Sequence, residues 1–269
     1  MRISSLQVFP VKSMAGLAVT TAEVRPEGLR DDRRWMVVDA SGENITARER
    51  HAMLHVHPEP DGAGGLTLTY RDGSLAPIRV RRPDHAPDVP VGLSRLSTAT
   101  STSADADAWV SKVVGEPARL VWLDDPTRRS VGENHGGKAG DVLSLADAGP
   151  VHLTTESSLE RLNDWMAESG GEPIPIGRFR SNLVVEGDVE PFAEDNWQRV
   201  RVGGVSFRFG EYCDRCVLPT IDTETLETSK EPTRTLARHR RWDGKVWFGV
   251  RLIPETLGTI SVGDDVTPM

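Results

Sequence analysis

The residues best suited to chemistry are two cysteines close together, Cys213 and Cys216, which enclose Asp214 and Arg215. A thiolate at the tip of a loop is a soft ligand for a redox-active metal, and the adjacent Arg215 would favour the ionised sulfur of Cys216. Three other interpretations compete with this one: a structural zinc site, a thioredoxin-like redox pair, and buried inert cysteines. The chemistry of the pair alone does not choose among the four.

The sequence lacks features that two of these alternatives require. A structural zinc site needs four ligands, and no second CxxC exists, while His51, His55 and His57 lie far upstream. A redox CxxC is expected at the start of a helix, and Pro219 argues against a long helix after the pair.

Three short segments carry groups that bind anions. Lys12 and Ser13 end the first predicted strand, Arg33 lies in Asp-Arg-Arg-Trp, and Arg180 and Asn182 precede a buried strand pattern. An ammonium group, a hydroxyl group and guanidinium groups can together hold a phosphate. Each segment taken alone is equally compatible with a solvated turn, and Asn182 with a core amide.

The composition restricts the class of protein. The 269 residues have a net charge of −8, which argues against a general nucleic-acid binder. Of the 32 basic residues, 27 are arginine, whose planar guanidinium suits phosphate and carboxylate. The sequence shows no signal peptide and no membrane span, and two cysteines do not form a disulfide scaffold. We therefore expect a soluble, cytoplasmic protein.

The elements that must position these residues are mostly strands. Periods of two predict strands over 2–9 and 66–70, and strands separated by turn residues are expected over 17–25 and 34–39. Gly203-Gly204 predicts a hairpin that pairs Val200 with Phe207. Further strands are expected at 119–123, 182–187, 246–253 and 259–262, and helices at 104–115, 156–169 and 231–241. Segment 83–103 is expected to be a loop or linker, and 124–150 an irregular connector.

Together the motifs resemble the MOSC-domain proteins, and among them the branch of the mitochondrial amidoxime-reducing component and its YcbX-type bacterial relatives. The segments that carry the resemblance span almost the whole chain, and their ordered set is far more specific than any one of them. In chain order they are PVKS (10–13), GLRDDRRWMVVD (28–39), ITAR (45–48), HLTTESSLERLN (152–163), GRFRSNLVVEG (177–187), FAEDNW (192–197), CDRCVLPTIDTETL (213–226), KEPTRTL (230–236) and GTISVGDDV (258–266).

The resemblance implies a β-dominated α+β fold with a cofactor bound between two domains. These would be an N-terminal MOSC-type β domain (1–122) and a MOSC β-barrel domain with a few packed helices (123–269). It implies a molybdenum cofactor, molybdenum bound to molybdopterin, whose metal is held by Cys216. The implied pterin and phosphate contacts are Lys12, Ser13, Arg33, Thr155, Ser157, Arg180 and Asn182. Asp214 and Arg215 would flank the metal as catalytic and cofactor-binding residues, although relatives often carry a small polar residue in place of Asp214.

The resemblance further implies a molybdenum-dependent oxidoreductase that reduces N-hydroxylated compounds: amidoximes, hydroxylamines and N-hydroxylated bases. The alternative is a protein that carries or binds the cofactor, or carries a persulfide on Cys216. Two cysteines cannot supply the four ligands of a [2Fe–2S] cluster, and no G-x-G-x-x-G offers a nicotinamide site. Electrons are therefore expected from a separate flavin, haem or ferredoxin-type protein.

Overall fold

The computed structural model describes all 269 residues, and strands dominate it. The strands are β1 (Arg2–Val8), β2 (Leu17–Val19), β3 (Thr21–Arg25), β4 (Gly28–Leu29), β5 (Trp35–Asp39), β6 (Val56–Pro60), β7 (Leu66–Tyr70), β8 (Ile78–Val80), β9 (Asp88–Leu93), β10 (Leu96–Ser101), β11 (Ala118–Trp122), β12 (Val151–Thr155), β13 (Leu183–Glu186), β14 (Arg199–Val202), β15 (Val205–Asp214), β16 (Arg241–Trp242), β17 (Lys245–Pro254), β18 (Gly258–Ser261) and β19 (Val266–Pro268). The helices are α1 (Ala104–Val114), α2 (Glu156–Glu168) and α3 (Thr233–His239). The predicted class, β-dominated α+β, is confirmed.

The largest sheet has nine strands in the order β19-β14-β15-β17-β12-β13-β1-β2, with β16 paired to β17. Its hairpin β14–β15 has the register that the Gly203-Gly204 turn predicts, with Val200 opposite Phe207. The first strand of the chain, β1, runs antiparallel to β13, so that Leu6 lies opposite Leu183. Residues from the start of the chain therefore complete a sheet built mainly from its second half.

Three smaller sheets complete the fold: β5-β11-β10-β9, β6-β7-β8 and β18-β3-β4. One core of 20 buried residues lies mainly between the first two of these sheets and α1. A second core of 19 buried residues fills one side of the largest sheet and includes Ile3 and Val24 with Phe207. The division of the chain between 122 and 123 stays a prediction.

The structure corrects one predicted element, because 83–103 is not a loop or linker. It contains β9 and β10, which pair with each other. Pro90 is tolerated because β9 is the edge strand of its sheet, where a missing N–H removes no bond to a further strand. Val91 and Ala99 are buried in a core of eight residues, and this burial outweighs the Pro, Ser and Thr composition.

The helices follow their sequence signals. Helix α1 ends at Gly115, which has φ 78° and adopts the left-handed conformation that glycine tolerates. Helix α2 begins after Thr155, whose hydroxyl accepts from the Ser158 N–H. It buries Leu162 and Met166 against Phe248, each contributing about 1.5–3 kcal/mol of apolar burial. None of the three helices combines the length and the apolar composition that crossing a membrane requires.

A glycine on β17 allows the close approach of two central strands. Gly249 has φ 75°, and a Cβ there would lie 2.6 Å from the Leu153 carbonyl oxygen and 2.6 Å from the His152 Nε2. We expect Gly249→Ala to lower the free energy of unfolding by about 2–4 kcal/mol, because overpacking and a left-handed alanine both cost energy. Denaturant titration followed by circular dichroism measures this change.

Gly204→Ala is the matched control. A Cβ at Gly204 meets no atom within 4 Å, and that residue has no left-handed φ. Its unfolding midpoint is expected to stay close to that of the unmodified protein. Equal midpoints for the two variants would contradict the close approach of β17 to β12.

Candidate functional site

A cleft brings together residues from both halves of the sequence. Eight of the ten predicted site residues line this cleft, although up to about 200 positions separate them in the chain. Its lining is Lys12, Ser13, Arg33, Arg48, Ala146, Asp147, Ala148, Gly149, His152, Phe179, Arg180, Asn182, Cys213, Asp214, Arg215, Cys216, Leu218 and Arg251. The anion-binding segments and the CxxC therefore belong to one site.

The other two predicted site residues, Thr155 and Ser157, do not line the cleft. The Thr155 side chain is fully buried and caps α2. It donates to Glu194, whose pKa burial raises to about 7. The hydroxyl groups of the Thr-Glu-Ser-Ser segment thus serve the start of a helix, and a sequence motif cannot reveal whether a hydroxyl faces a cap or a ligand.

A buried polar junction fixes the position of Arg33. Asp32 is 1% exposed and accepts from the Phe9 N–H at 2.8 Å and from the Asn182 Nδ2 at 3.1 Å. Arg33 donates to Asp32 and, at 3.1 Å, to the Asn182 Oδ1. The same Asn182 oxygen accepts from the His152 N–H at 3.1 Å, and the amide donates to the Gln7 carbonyl at 3.0 Å. The hydrogen bonds of the Asn182 side chain therefore all go to protein groups, and they hold Asp32 and Arg33 in position.

Three lining residues have left-handed backbone conformations that non-glycine residues rarely adopt. The φ angles are 68° at Ser13, 50° at Arg33 and 56° at Arg180. Each such residue costs of the order of 1–3 kcal/mol. The three strained residues lie in three different loops, and the side chains of all three line the cleft.

Two guanidinium groups face the same aromatic ring. The Cζ atoms of Arg33 and Arg180 lie 4.6 Å and 4.2 Å from the ring centroid of Phe9. Burial and the charge of Arg33 lower the pKa of Arg180 to about 9. Arg180 donates to the Met14 carbonyl at 2.6 Å and has no carboxylate partner. A buried cation that has no carboxylate partner favours an anionic ligand.

Lys12 and Arg48 converge on one carboxylate. Lys12 forms an ion pair with Asp147 and donates to the Leu145 carbonyl at 3.0 Å, while Arg48 lies 3.0 Å from the other Asp147 oxygen. Burial would raise the pKa of Asp147, but Lys12 and Arg48 hold it well below its usual range. Burial lowers the pKa of Lys12, against the opposing effect of Asp147.

The two cysteines occupy different environments. Cys213 is 4% exposed at the end of β15 and accepts a hydrogen bond from the Arg215 Nη1 at 2.9 Å. Burial opposes its ionisation, but Arg251, His152 and Arg215 outweigh that effect and lower the pKa of Cys213 to about 5. The Cys213 sulfur is therefore buried among cationic groups that favour its thiolate form.

Cys216 is exposed at the mouth of the cleft. Its sulfur accepts from the Leu218 N–H at 3.4 Å. The cation that faces it is Arg48, whose pKa Asp147 and Cys216 raise against the effect of burial. The expected pairing of Arg215 with Cys216 is corrected here, because the Arg215 side chain turns to Cys213 and the Phe179 carbonyl.

Asp214 and Arg251 form the remaining charged pair of the cleft, with 2.8 Å between Oδ1 and Nη2. Burial opposes ionisation of Asp214, but Arg251 keeps the pKa of this carboxyl below its usual range. Arg251 also binds Glu211 at 2.5 Å, and these anions raise the pKa of Arg251 against the effect of burial.

Sequence reasoning missed four polar residues of the cleft: Arg48, Asp147, His152 and Arg251. It singled out Cys213 together with Cys216 but gave Cys213 no role in the site. Arg48 lies in the quoted ITAR segment and His152 begins HLTTESSLERLN, so both had a signal. Asp147 lies in the irregular connector and Arg251 in a strand pattern, where nothing local distinguishes them.

The structure also bears on the zinc interpretation of the CxxC. No group of three or more His, Cys, Asp or Glu side chains is arranged to hold a metal ion, so the CxxC lacks the further ligands that a zinc site requires.

Family comparisons cover most of the chain. A model described as the MOSC N-terminal beta barrel domain matches residues 1–117, and one described as the MOSC domain matches residues 133–267. The mitochondrial amidoxime-reducing component 1 of Homo sapiens is 30% identical over 283 residues, which are 98% of this chain and 82% of that protein. The chain belongs to the MOSC family.

Two further comparisons concern proteins of other lengths or lower similarity. The molybdenum cofactor sulfurase of Solanum lycopersicum is 28% identical over 99% of this MOSC chain, which spans 35% of the sulfurase. Among solved structures, the YUAD protein of Bacillus subtilis aligns with 98% of this chain at 11% identity and a TM-score of 0.44.

The ionisation of Cys213 in this MOSC chain can be measured. In Cys216→Ser protein the only remaining thiol is Cys213, so thiolate absorbance at 240 nm reports it alone. We expect a midpoint near pH 5 in the folded protein and of roughly 8.5 in denaturant. Between these values unfolding takes up a proton, so stability falls as the pH is lowered toward 5.

The double variant Cys213→Ser, Cys216→Ser provides the baseline for this titration. A folded-state midpoint between pH 8 and 9 would mean that Arg251 and Arg215 do not stabilise the thiolate.

Proposed function

We propose that this chain binds a molybdenum cofactor in the cleft and reduces N-hydroxylated compounds. The observation that carries the proposal is the position of one exposed thiol, Cys216, at the mouth of a cleft rich in cations. Six cationic side chains line this cleft against two carboxylates, in a chain whose net charge is −8. Such a cleft suits a polyanionic cofactor with a soft-metal centre.

The residues present fit the cofactor. Arg180 has no carboxylate partner, the Ser13 hydroxyl lines the cleft, and the buried Arg215 Nε has no hydrogen-bond partner. Lys12, Ser13, Arg33 and Arg180 would hold the phosphate and pterin, and the Cys216 sulfur would hold the metal. Cys213 fits the metal less well, because its sulfur is enclosed by protein donors.

The bound cofactor would supply two electrons at its metal for the cleavage of an N–O bond. For an amidoxime the balance is R–C(NH2)=N–OH + 2e⁻ + 2H⁺ → R–C(NH2)=NH + H2O. Asp214 remains a carboxylate beside Arg251, so it accepts hydrogen bonds from the substrate N–H groups and does not donate the proton. The mouth at Cys216 is open to water, which would supply the protons.

Electrons would come from a separate flavin, haem or ferredoxin-type protein. The relatives named amidoxime-reducing components support a reductase, and the human protein of that name aligns with nearly the whole chain. An electron donor would dock weakly at the exposed mouth, as transient redox partners do.

A second candidate is a module that carries the cofactor or a persulfide on Cys216. The similarity to the tomato molybdenum cofactor sulfurase over 99% of this chain favours it. Molybdenum with turnover supports the reductase. A mass increase of one sulfur atom on Cys216 without molybdenum supports the carrier.

The residues proposed to hold the phosphate and pterin, Lys12, Ser13, Arg33 and Arg180, give a prediction about cofactor retention. Arg180→Ala removes a guanidinium with no carboxylate partner, so its loss should weaken retention by about 1–3 kcal/mol without leaving a buried charge unpaired. Molybdenum and pterin contents of purified protein measure this loss. Arg2→Ala, on an exposed ion pair, is the control and should retain the full content.

Arg33→Ala would also lose cofactor, but for a mixed reason. It leaves the buried Asp32 without its cation, which costs about 3–5 kcal/mol of stability. Full cofactor content in both Arg180→Ala and Arg33→Ala would rule out these arginines as cofactor-binding residues.

The ligand assignment gives a prediction about activity. Cys216→Ala should abolish reduction of benzamidoxime and lose molybdenum, because the metal would have no protein ligand. Cys213→Ala should keep molybdenum and a measurable part of the activity. The assay uses reduced viologen as electron donor, with protein from a host that makes the cofactor.

NADH alone should support no turnover in this assay. Turnover with NADH and no added partner would show a second cofactor site in the chain. Exchange of the two cysteine phenotypes would assign the metal to Cys213.

A further inference from the structure

A groove begins beside the mouth of the cleft. It has a volume of about 550 Å³, and its lining includes Val217, Thr220, Ile221, Lys230, Thr233 and Arg234. Arg48 lines both the groove and the cleft, and Val217 directly follows Cys216. The groove therefore leads away from the exposed thiol.

The wall next to Cys216 is apolar and open to solvent. Val217 is 54% exposed, one of few large hydrophobic side chains in the chain with so much exposure. The proposed chemistry needs only the N–O group of a substrate at the cofactor, so the rest of the molecule must lie elsewhere. An exposed apolar side chain next to the thiol offers a surface for that remainder.

The charge of the groove is one-sided. Its lining contains Arg48, His51, Lys230 and Arg234 and no aspartate or glutamate. Lys230 is exposed and forms no ion pair, whereas Arg234 binds Glu231 at 2.7 Å. The Glu231 carboxylate also accepts from the Thr235 N–H, so it is turned toward α3.

Lys230 and Arg234 belong to the lining of the groove, as Val217 does. Thr233 lines the groove too, but its Oγ1 is fully buried and is therefore not available to a bound molecule. The groove thus offers two cations and one exposed apolar side chain to a ligand.

We propose that this groove binds the non-reacting part of the substrate and selects N-hydroxylated compounds that carry an anionic group, a carboxylate or a phosphate, on an apolar body. The apolar body packs on Val217, and the anion pairs with Lys230 and Arg234. This inference rests on the proposed function and specifies its substrate class.

The test is equilibrium binding to the cofactor-loaded protein without an electron donor, so that no turnover occurs. Two matched pairs separate the anion sources: benzamidoxime with 4-carboxybenzamidoxime, and N4-hydroxycytidine with its 5′-monophosphate. Isothermal titration calorimetry at low salt should show the anionic member of at least one pair binding about five- to tenfold more tightly. The pair with the larger ratio identifies the anion.

Lys230→Gln should reduce this ratio to near one, and Arg234→Gln should reduce it in part. Lys230 is exposed and unpaired, so its replacement leaves the fold intact. Lys112→Gln, on the exposed face of α1 and outside the groove, is the matched control and should keep the ratio. Raising the salt concentration should lower the affinity ratio in the unmodified protein and in Lys112→Gln, but should change it little in Lys230→Gln.

Equal affinities within both pairs would overturn the inference, as would a ratio that Lys230→Gln leaves unchanged. Failure of the proposed function looks different: no molybdenum in the preparation, or no turnover of any of the four compounds with reduced viologen. If the loaded protein shows no turnover, its binding ratios and the Lys230→Gln variant still decide whether the groove selects anions. If no molybdenum is present, the same titrations are made on the protein as purified.

Discussion

The arrangement of the cleft depends on one buried carboxylate, that of Asp32. It accepts hydrogen bonds from the Phe9 N–H and the Asn182 amide and pairs with Arg33, so it ties together three segments that are remote in sequence. A buried carboxylate without these partners would cost several kcal/mol, which makes the three contacts interdependent. The loop after β1, the segment Asp32–Arg33 before β5 and Asn182 before β13 are thereby held in one geometry.

That geometry concentrates positive charge in an acidic protein. Ser13, Arg33 and Arg180 have left-handed backbone conformations, and the guanidinium groups of Arg33 and Arg180 both lie against the Phe9 ring. Burial and the nearby Arg33 lower the pKa of Arg180, and no carboxylate pairs with this guanidinium. The cleft is therefore preorganised for an anion before any ligand arrives.

The sequence predicts strands and helices well where the hydrophobic period is strong, as in the β14–β15 hairpin and in α2. It fails at 83–103, because tertiary burial overrides composition there. For the site, residue chemistry identifies anion-binding types, and the family resemblance supplies their grouping. Neither reveals that Arg215 turns to Cys213, or that Asp147 and Arg251 reach the cleft, since these contacts depend on how distant strands end.

The position of β1 in the largest sheet bears on the order in which the chain folds during synthesis. Of the two neighbours of β1 in this sheet, β2 follows within about ten residues, but β13 follows roughly 175 residues later. At a translation rate of about 5–20 residues per second, β1 would wait for tens of seconds or less with its apolar face uncovered. The apolar residues Ile3 and Leu6 would then be exposed to chaperones or to neighbouring nascent chains. Lys12 and Ser13 follow β1 closely in the sequence. They can take their places in the cleft only after β1 has paired with β13, so the cleft is completed late.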